Sequence, residues 1–227
     1  MLKISWSKLE LFLECPRCFY FDIKLKIIRP SQNSFGFYNT VDMLMKSEMD
    51  YFRKIKGSPE ILSDIDCAYR LSNHPRIAEW RSKSQGLRLQ WSDDIILLGL
   101  IDDLWEEKNG KLTVIDFKST VSQKKVEKLP HWKDKMQRQL SFYSYLLMKN
   151  GFDVHDKGVI FYVIGRSDKQ GLFERMEFNY HIFELPIDTG WIEKKVNEAV
   201  EILQVQDIPK PSTKCPYCSF ENKRNIL

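Results

Sequence analysis

The chain has 227 residues, 43% of them hydrophobic, 29% charged, and a net charge of +4. That composition builds a sizeable core under an ordinary soluble surface, and its mild basicity permits nucleic-acid binding through a local patch without demanding it. No apolar run approaches membrane-spanning length and the N-terminus carries no signal-like apolar region, so a cytoplasmic location is expected.

Ser7-Lys8-Leu9-Glu10 reads as a capping box that opens a first helix. Cys15-Pro16-Arg17-Cys18 interrupts that helix, and an apolar run continues to Pro30. Residues 30–37 read as a loop. The spacing then predicts a helix over 38–56, with Val41, Leu44, Met45, Glu48, Phe52 and Ile55 on one face. Glu48 in that stripe is expected at its rim, reaching water or a lysine.

Residues 57–85 carry two breaks, Gly57-Ser58-Pro59 and Asn73-His74-Pro75, with a short helix at about 76–82. Cys67 reads as a buried, inert thiol and His74 as a turn residue. Strands are predicted at about 86–92, 94–107 and 111–118. The polar stretch 119–131, with Lys124, Lys125 and Lys128, reads by default as a solvated linker that could also contact phosphates. A helix over 134–149 carries Met136, Leu140, Tyr143 and Leu147 on one stripe, and Gln139 projects beside Tyr143. Strands at about 158–164 and 173–184 follow. Asp188 is placed to cap a last helix over 189–204, and Cys215-Pro216-Tyr217-Cys218 lies in a short tail. Without an internal repeat or a long linker, 1–227 reads as one domain, with 1–30 and 205–227 forming a cap.

Residues 98–118 read as a central hairpin. Both of its faces are apolar, which predicts a sheet covered on both sides. The Asn109-Gly110 turn allows two registers. A two-residue loop sets Asp103 opposite Asp116. A three-residue loop, with Gly110 in the left-handed region, sets Asp102 opposite Asp116, and this is the one predicted. Lys118 then shares the face of Asp116. Two carboxylates and a lysine in an apolar hairpin need partners. A divalent metal would make both aspartates favourable and leave the lysine for a negative substrate. The bland alternative is a surface hairpin with solvated charges.

The two Cys-Pro-x-Cys pairs, Cys15 with Cys18 and Cys215 with Cys218, are expected to close one four-thiolate site joining the termini. Spacing alone leaves zinc and an iron–sulfur cluster both open. Four thiolates leave no open position, so the site reads as structural.

Taken in order, four stretches carry a resemblance. These are Ser5-Trp6-Ser7-Lys8-Leu9 with Phe12, Cys15-Pro16 and Phe19-Tyr20-Phe21; Gly99-Leu100-Ile101-Asp102; Ile115-Asp116-Phe117-Lys118; and Gln139-Leu140-Ser141-Phe142-Tyr143. With the terminal cysteines, they resemble the PD-(D/E)XK nuclease superfamily, in its RecB- and AddB-like branch related to the CRISPR-associated RecB-like exonucleases. The resemblance implies an α/β, restriction-endonuclease-like fold, with a central mixed sheet flanked by helices and termini joined by a four-cysteine metal site. It implies a metal-dependent deoxyribonuclease acting on single-stranded DNA or DNA ends, exonuclease rather than endonuclease, of the kind used in DNA repair.

Asp102, Asp116 and the Phe117 carbonyl would bind Mg or Mn, Lys118 would serve the attacking water and the phosphate, and Gln139 and Tyr143 would position DNA. Asp42 stands where the family's metal-binding histidine is expected and could itself bind the metal. Cys15, Cys18, Cys215 and Cys218 would hold an iron–sulfur cluster, with zinc as the alternative. Loss of the histidine also motivates a rival reading, a catalytically inactive nucleic-acid-binding module.

Overall fold

The computed structural model describes residues 1–30, 36–59, 62, 69–122, 133–167 and 175–219. Cys67 and most of the 119–131 stretch lie outside these residues. The chain divides into two compact units. The larger holds residues 34–89 and 99–189, and the smaller holds 1–33, 90–98 and 190–227.

The larger unit is built on a five-stranded mixed sheet of β2 (Tyr69–Leu71), β5 (Asp103–Glu107), β6 (Leu112–Ser122), β7 (Lys157–Arg166) and β8 (Phe178–Pro186), in that spatial order. β6 and β7 run parallel, and the other neighbours are antiparallel. The parallel pair needs a crossover, and helix α5 (Lys133–Lys149) supplies it, packed on β6 and β7. Leu140, Phe142, Leu146 and Leu147 of α5 are fully buried, so this helix is covered well beyond the single stripe predicted.

Helix α3 (Gly36–Lys54) places Val41, Met45 and Met49 in a core with Trp105, Ile115, Phe117, Val159 and Phe161. Of the predicted face of α3, Val41 and Met45 are buried and Phe52 packs against the same core. Leu44 and Ile55 are more than half exposed, and Glu48 is exposed as expected. Val41, Met45 and Met49 are four apart, so they make a narrower stripe than the one containing Glu48.

The hairpin has the predicted three-residue loop. Glu107 pairs with Lys111, the Gly110 amide donates to the Glu107 carbonyl at 2.9 Å, and Gly110 has φ +85°. Leu104 faces Val114 and Asp103 faces Ile115. The expected strand over 94–107 is broken, however. β4 (Ile95–Gly99) and β5 belong to different sheets, and residues 100–102 form no strand. The Asp102 carbonyl instead accepts from Arg81 Nε at 2.6 Å, a side chain taking the place of a ladder partner. Arg81 closes the short helix α4 (Ile77–Arg81).

In the smaller unit β1 (Leu2–Ser5) pairs parallel with β4; β3 (Leu87–Ser92), of which only residues 90–92 belong to this unit, follows β4 in the sheet order. Helix α1 (Trp6–Glu14) starts from Ser5, whose hydroxyl contacts that of Ser7 at 2.9 Å and caps nothing. The expected capping box is therefore absent, because Ser7 already lies inside the helix. The Cys15 break is as predicted: Pro16 opens α2 (Pro16–Ile23), where a missing N–H costs nothing. Helix α6 (Ile192–Gln204) packs on α1 and α2. It starts after Trp191, three residues later than the Asp188 cap predicted. Among the described residues no helix is long and apolar enough to cross a membrane.

Candidate metal and nuclease site

The hairpin register brings Asp102 to Asp116. The Phe117 amide donates to Asp102 Oδ2 at 2.9 Å, which fixes that carboxylate against the strand carrying Asp116. Asp116 is 1% exposed and is ion-paired with Lys118, whose ammonium also reaches the Phe117 carbonyl at 3.4 Å. Burial pushes the Asp116 carboxyl up to about 7; the Lys118 charge opposes this and the Asp102 charge adds to it. Lys118 is pushed upward as well. Burial works against its charge, but the carboxylates of Asp116 and Asp102 outweigh it.

Helix α5 supports this cluster. Gln139 Nε2 donates to Asp116 Oδ1 at 2.8 Å and lies 3.2 Å from the Tyr143 hydroxyl. Tyr143 is 5% exposed, and burial first, then the Asp116 charge, raises its hydroxyl well above the usual range. Gln139 thus holds one of the carboxylates in place, and the Tyr143 hydroxyl accepts from the same Gln139 amide. Gly99 lets the helix come this close: a Cβ there would meet Leu146 at 2.9 Å and the Tyr143 ring at 3.0 Å.

Helix α3 contributes two more charges. Lys46 Nζ lies 2.7 Å from Asp42 Oδ2 and 2.8 Å from Asp102 Oδ1, bridging the two carboxylates. Asp42, expected from the motif as a possible metal ligand, is thus linked to Asp102 through the Lys46 ammonium. Lys46 was not singled out in the sequence, although its spacing of four from Asp42 puts both on one helical face.

Asp103 points to the opposite face and is fully buried. It pairs with Arg53, and with Arg81 at 3.1 Å, while Asp50 lies 2.7 Å from Arg81 and 2.9 Å from Arg53. Burial pushes the Asp103 carboxyl upward, against the charges of both arginines. Because Arg81 also holds the Asp102 carbonyl, this cluster fixes where Asp102 sits. Removing one member of a buried ion pair costs about 3 kcal/mol or more. Asp103→Asn is expected to lower urea-unfolding stability by that order. The Mn affinity of the refolded variant should fall too, as read by electron paramagnetic resonance.

The donors that converge here are two carboxylates and one backbone carbonyl, all hard oxygens. Asp116 Oδ2 is buried with no hydrogen-bond donor beyond its ion pair with Lys118. Such a set fits Mg or Mn.

A family model described as the PD-(D/E)XK nuclease superfamily matches residues 47–222. The chain belongs to the PD-(D/E)XK nuclease superfamily. The matched span contains Asp102, Asp116, Lys118, Gln139, Tyr143, Cys215 and Cys218, and it leaves Asp42, Lys46, Cys15 and Cys18 outside. No curated protein matches the chain. Among solved structures, the crystal structure of SSO0001 is similar over 97% of this chain and 84% of its own, at 16% identity and a TM-score of 0.43.

The second feature expected of this superfamily member lies in the smaller unit. Cys15, Cys18, Cys215 and Cys218 are all buried, and their sulfurs lie within 4.8 Å of one another. The separations are 3.6 Å for Cys18–Cys218, 3.7 Å for Cys18–Cys215 and 3.9 Å for Cys15–Cys218. These far exceed a disulfide bond, and the four thiols are free. Burial acts to raise the Cys15 thiol, but amides of Ser212 and Cys18 and neighbouring thiols bring it down to about 7. Arg29 reaches Cys215 Sγ at 3.4 Å and stacks over the Tyr217 ring. The tail is held by Arg17 on the Pro209 carbonyl and Lys24 on the Val205 carbonyl, at 3.1 and 2.6 Å. Four convergent, buried thiols fit a structural metal.

Proposed function

We propose that this chain is a metal-dependent deoxyribonuclease that hydrolyses phosphodiester bonds in single-stranded DNA or at DNA ends, by exonuclease rather than endonuclease action. The observation that carries the reading is the convergence of Asp102, Asp116 and Lys118, within a superfamily of nucleases. Asp102, Asp116 and the Phe117 carbonyl would hold Mg or Mn. Bound there, the ion supplies Lewis acidity toward a phosphoryl oxygen.

The chain's own groups do the rest. Lys118, pinned beside Asp116, is placed to orient the attacking water and to stabilise charge growing on the phosphate. Gln139, itself held by the Tyr143 hydroxyl, keeps Asp116 in its rotamer and is close enough to the site to touch the nucleic acid. Affinity to the RecB- and AddB-like branch, and a role in DNA repair, belong to this proposal.

For the cysteines, four sulfurs about 2.3 Å from one tetrahedral ion stand about 3.8 Å apart. The observed spacings support zinc over the iron–sulfur cluster that the resemblance implies. A cluster would interpose its own irons and sulfides and spread the thiolates further.

Labelled single strands and duplexes with blunt or overhanging ends test the substrate. Stepwise shortening from one end of the single strand is expected. Binding without cutting in Mg and in Mn would favour the inactive binding module.

A further inference from the structure

Lys46 lies outside the span matched by the family model, yet it sits inside the site. Its ammonium bridges Asp42 and Asp102 at 2.7 and 2.8 Å, distances at which a lysine satisfies two carboxylates at once. Asp102 Oδ2 is engaged by the Phe117 amide, and Lys46 takes the other oxygen, Oδ1. The side chain is only 26% exposed and is one helical turn from Asp42, so its reach is short.

From this geometry we propose that Lys46 takes the place of a second cation, so that the site binds one divalent ion per chain. Asp42 then serves by anchoring Lys46 rather than by ligating the ion. The inference rests on the nuclease reading above and deepens it.

The charges agree. With Asp42, Asp102 and Asp116 ionised, three carboxylates face the two ammoniums of Lys46 and Lys118. The neighbouring cluster is neutral in itself, since Asp50 and Asp103 balance Arg53 and Arg81. In that fully ionised state, the one a bound divalent ion would enforce at Asp116, the site carries one net negative charge among the described residues before the ion is counted. One divalent cation together with one phosphodiester monoanion brings it to zero. A second divalent cation would leave two uncompensated positive charges beside Lys46 and Lys118. Two-metal sites place their ions about 4 Å apart and bridge them through a shared carboxylate. Here one oxygen of Asp102, the carboxylate between Lys46 and Asp116, already faces an ammonium.

The test is the stoichiometry of Mn binding to the full chain. It is read as the loss of the free-Mn signal in electron paramagnetic resonance and needs no activity. The wild type is expected to take up one Mn per chain. Lys46→Met, which keeps length and removes charge, is expected to add a second, weaker ion, and Lys46→Arg is expected to stay at one. Adding Asp42→Asn to Lys46→Met should return the count to one. Circular dichroism shows whether each variant is folded.

Two ions in the wild type overturn the proposal and leave the nuclease reading intact. One ion in a folded Lys46→Met variant also overturns it. No ion in a folded wild type overturns both readings. Should Lys46→Met not fold, the wild-type count still decides.

Discussion

Asp116→Ala and Lys118→Ala are each expected to reduce DNA cleavage on the order of 10³-fold or more, the first because it removes a carboxylate that would hold the metal and the second because it removes the ammonium that would meet charge building on the phosphate. Asp116 is the stronger case. It is the best-buried carboxylate of the site and the one to which Lys118, Gln139 and the charge of Asp102 all turn.

The same residue gives a stability result of opposite sign. Its carboxyl is raised to about 7 in the folded state, above the ordinary value near 4. Folded protein without a divalent ion therefore holds this proton more tightly than the unfolded chain does. Its stability should fall as pH rises from about 4 to about 7, by up to about 1.4 kcal/mol per unit. Asp116→Asn should flatten that slope while cleavage is lost. A variant that loses cleavage through misfolding would instead melt lower at every pH, so melts across pH separate the two causes.

Loss of the cysteine site should be the largest stability effect in the molecule. Structural thiolate sites contribute roughly 10 kcal/mol or more of metal-binding free energy to folding. Here the four ligands come from the two ends of the smaller unit, and the links from Arg17, Lys24 and the Ser212 amide depend on the tail being in place. Cys18→Ser is expected to strip the metal and lower the melting of that unit, with Cys215→Ser behaving alike. Elemental analysis should give one zinc per chain. Visible absorption with iron and sulfide would replace zinc by a cluster. Unchanged melting in a metal-free variant would mean that the thiols merely pack together.

The hairpin was legible because it combines a turn signal with period-2 apolar residues, and both are local. The choice between Asp102 and Asp103 followed from one loop length, and the 2.9 Å bond from Phe117 to Asp102 agrees with it. The paired cysteines were legible because their spacing has few other uses.

What escaped was either short or long-range. β1 and β2 are four and three residues, too few to show a period. The break at residues 100–102 depends on Arg81, 21 residues earlier, and Asp103 depends on Arg53, 50 residues earlier. On helix α3, Val41, Met45 and Phe52 were legible, but Met49 was missed and Leu44 and Ile55 wrongly included, because only packing on the sheet narrows the stripe. Lys46 looked like an ordinary surface lysine until Asp102 was brought to it.

The most direct measurement of the central claim is cleavage of an end-labelled single strand by wild-type protein dialysed free of loosely held ions, before and after Mn is added back. No cutting before and cutting after, lost again in Asp116→Ala, is the result expected. Cutting that persists without metal, or in Asp116→Ala, would contradict it. So would a folded wild type that binds Mn and DNA but never cuts.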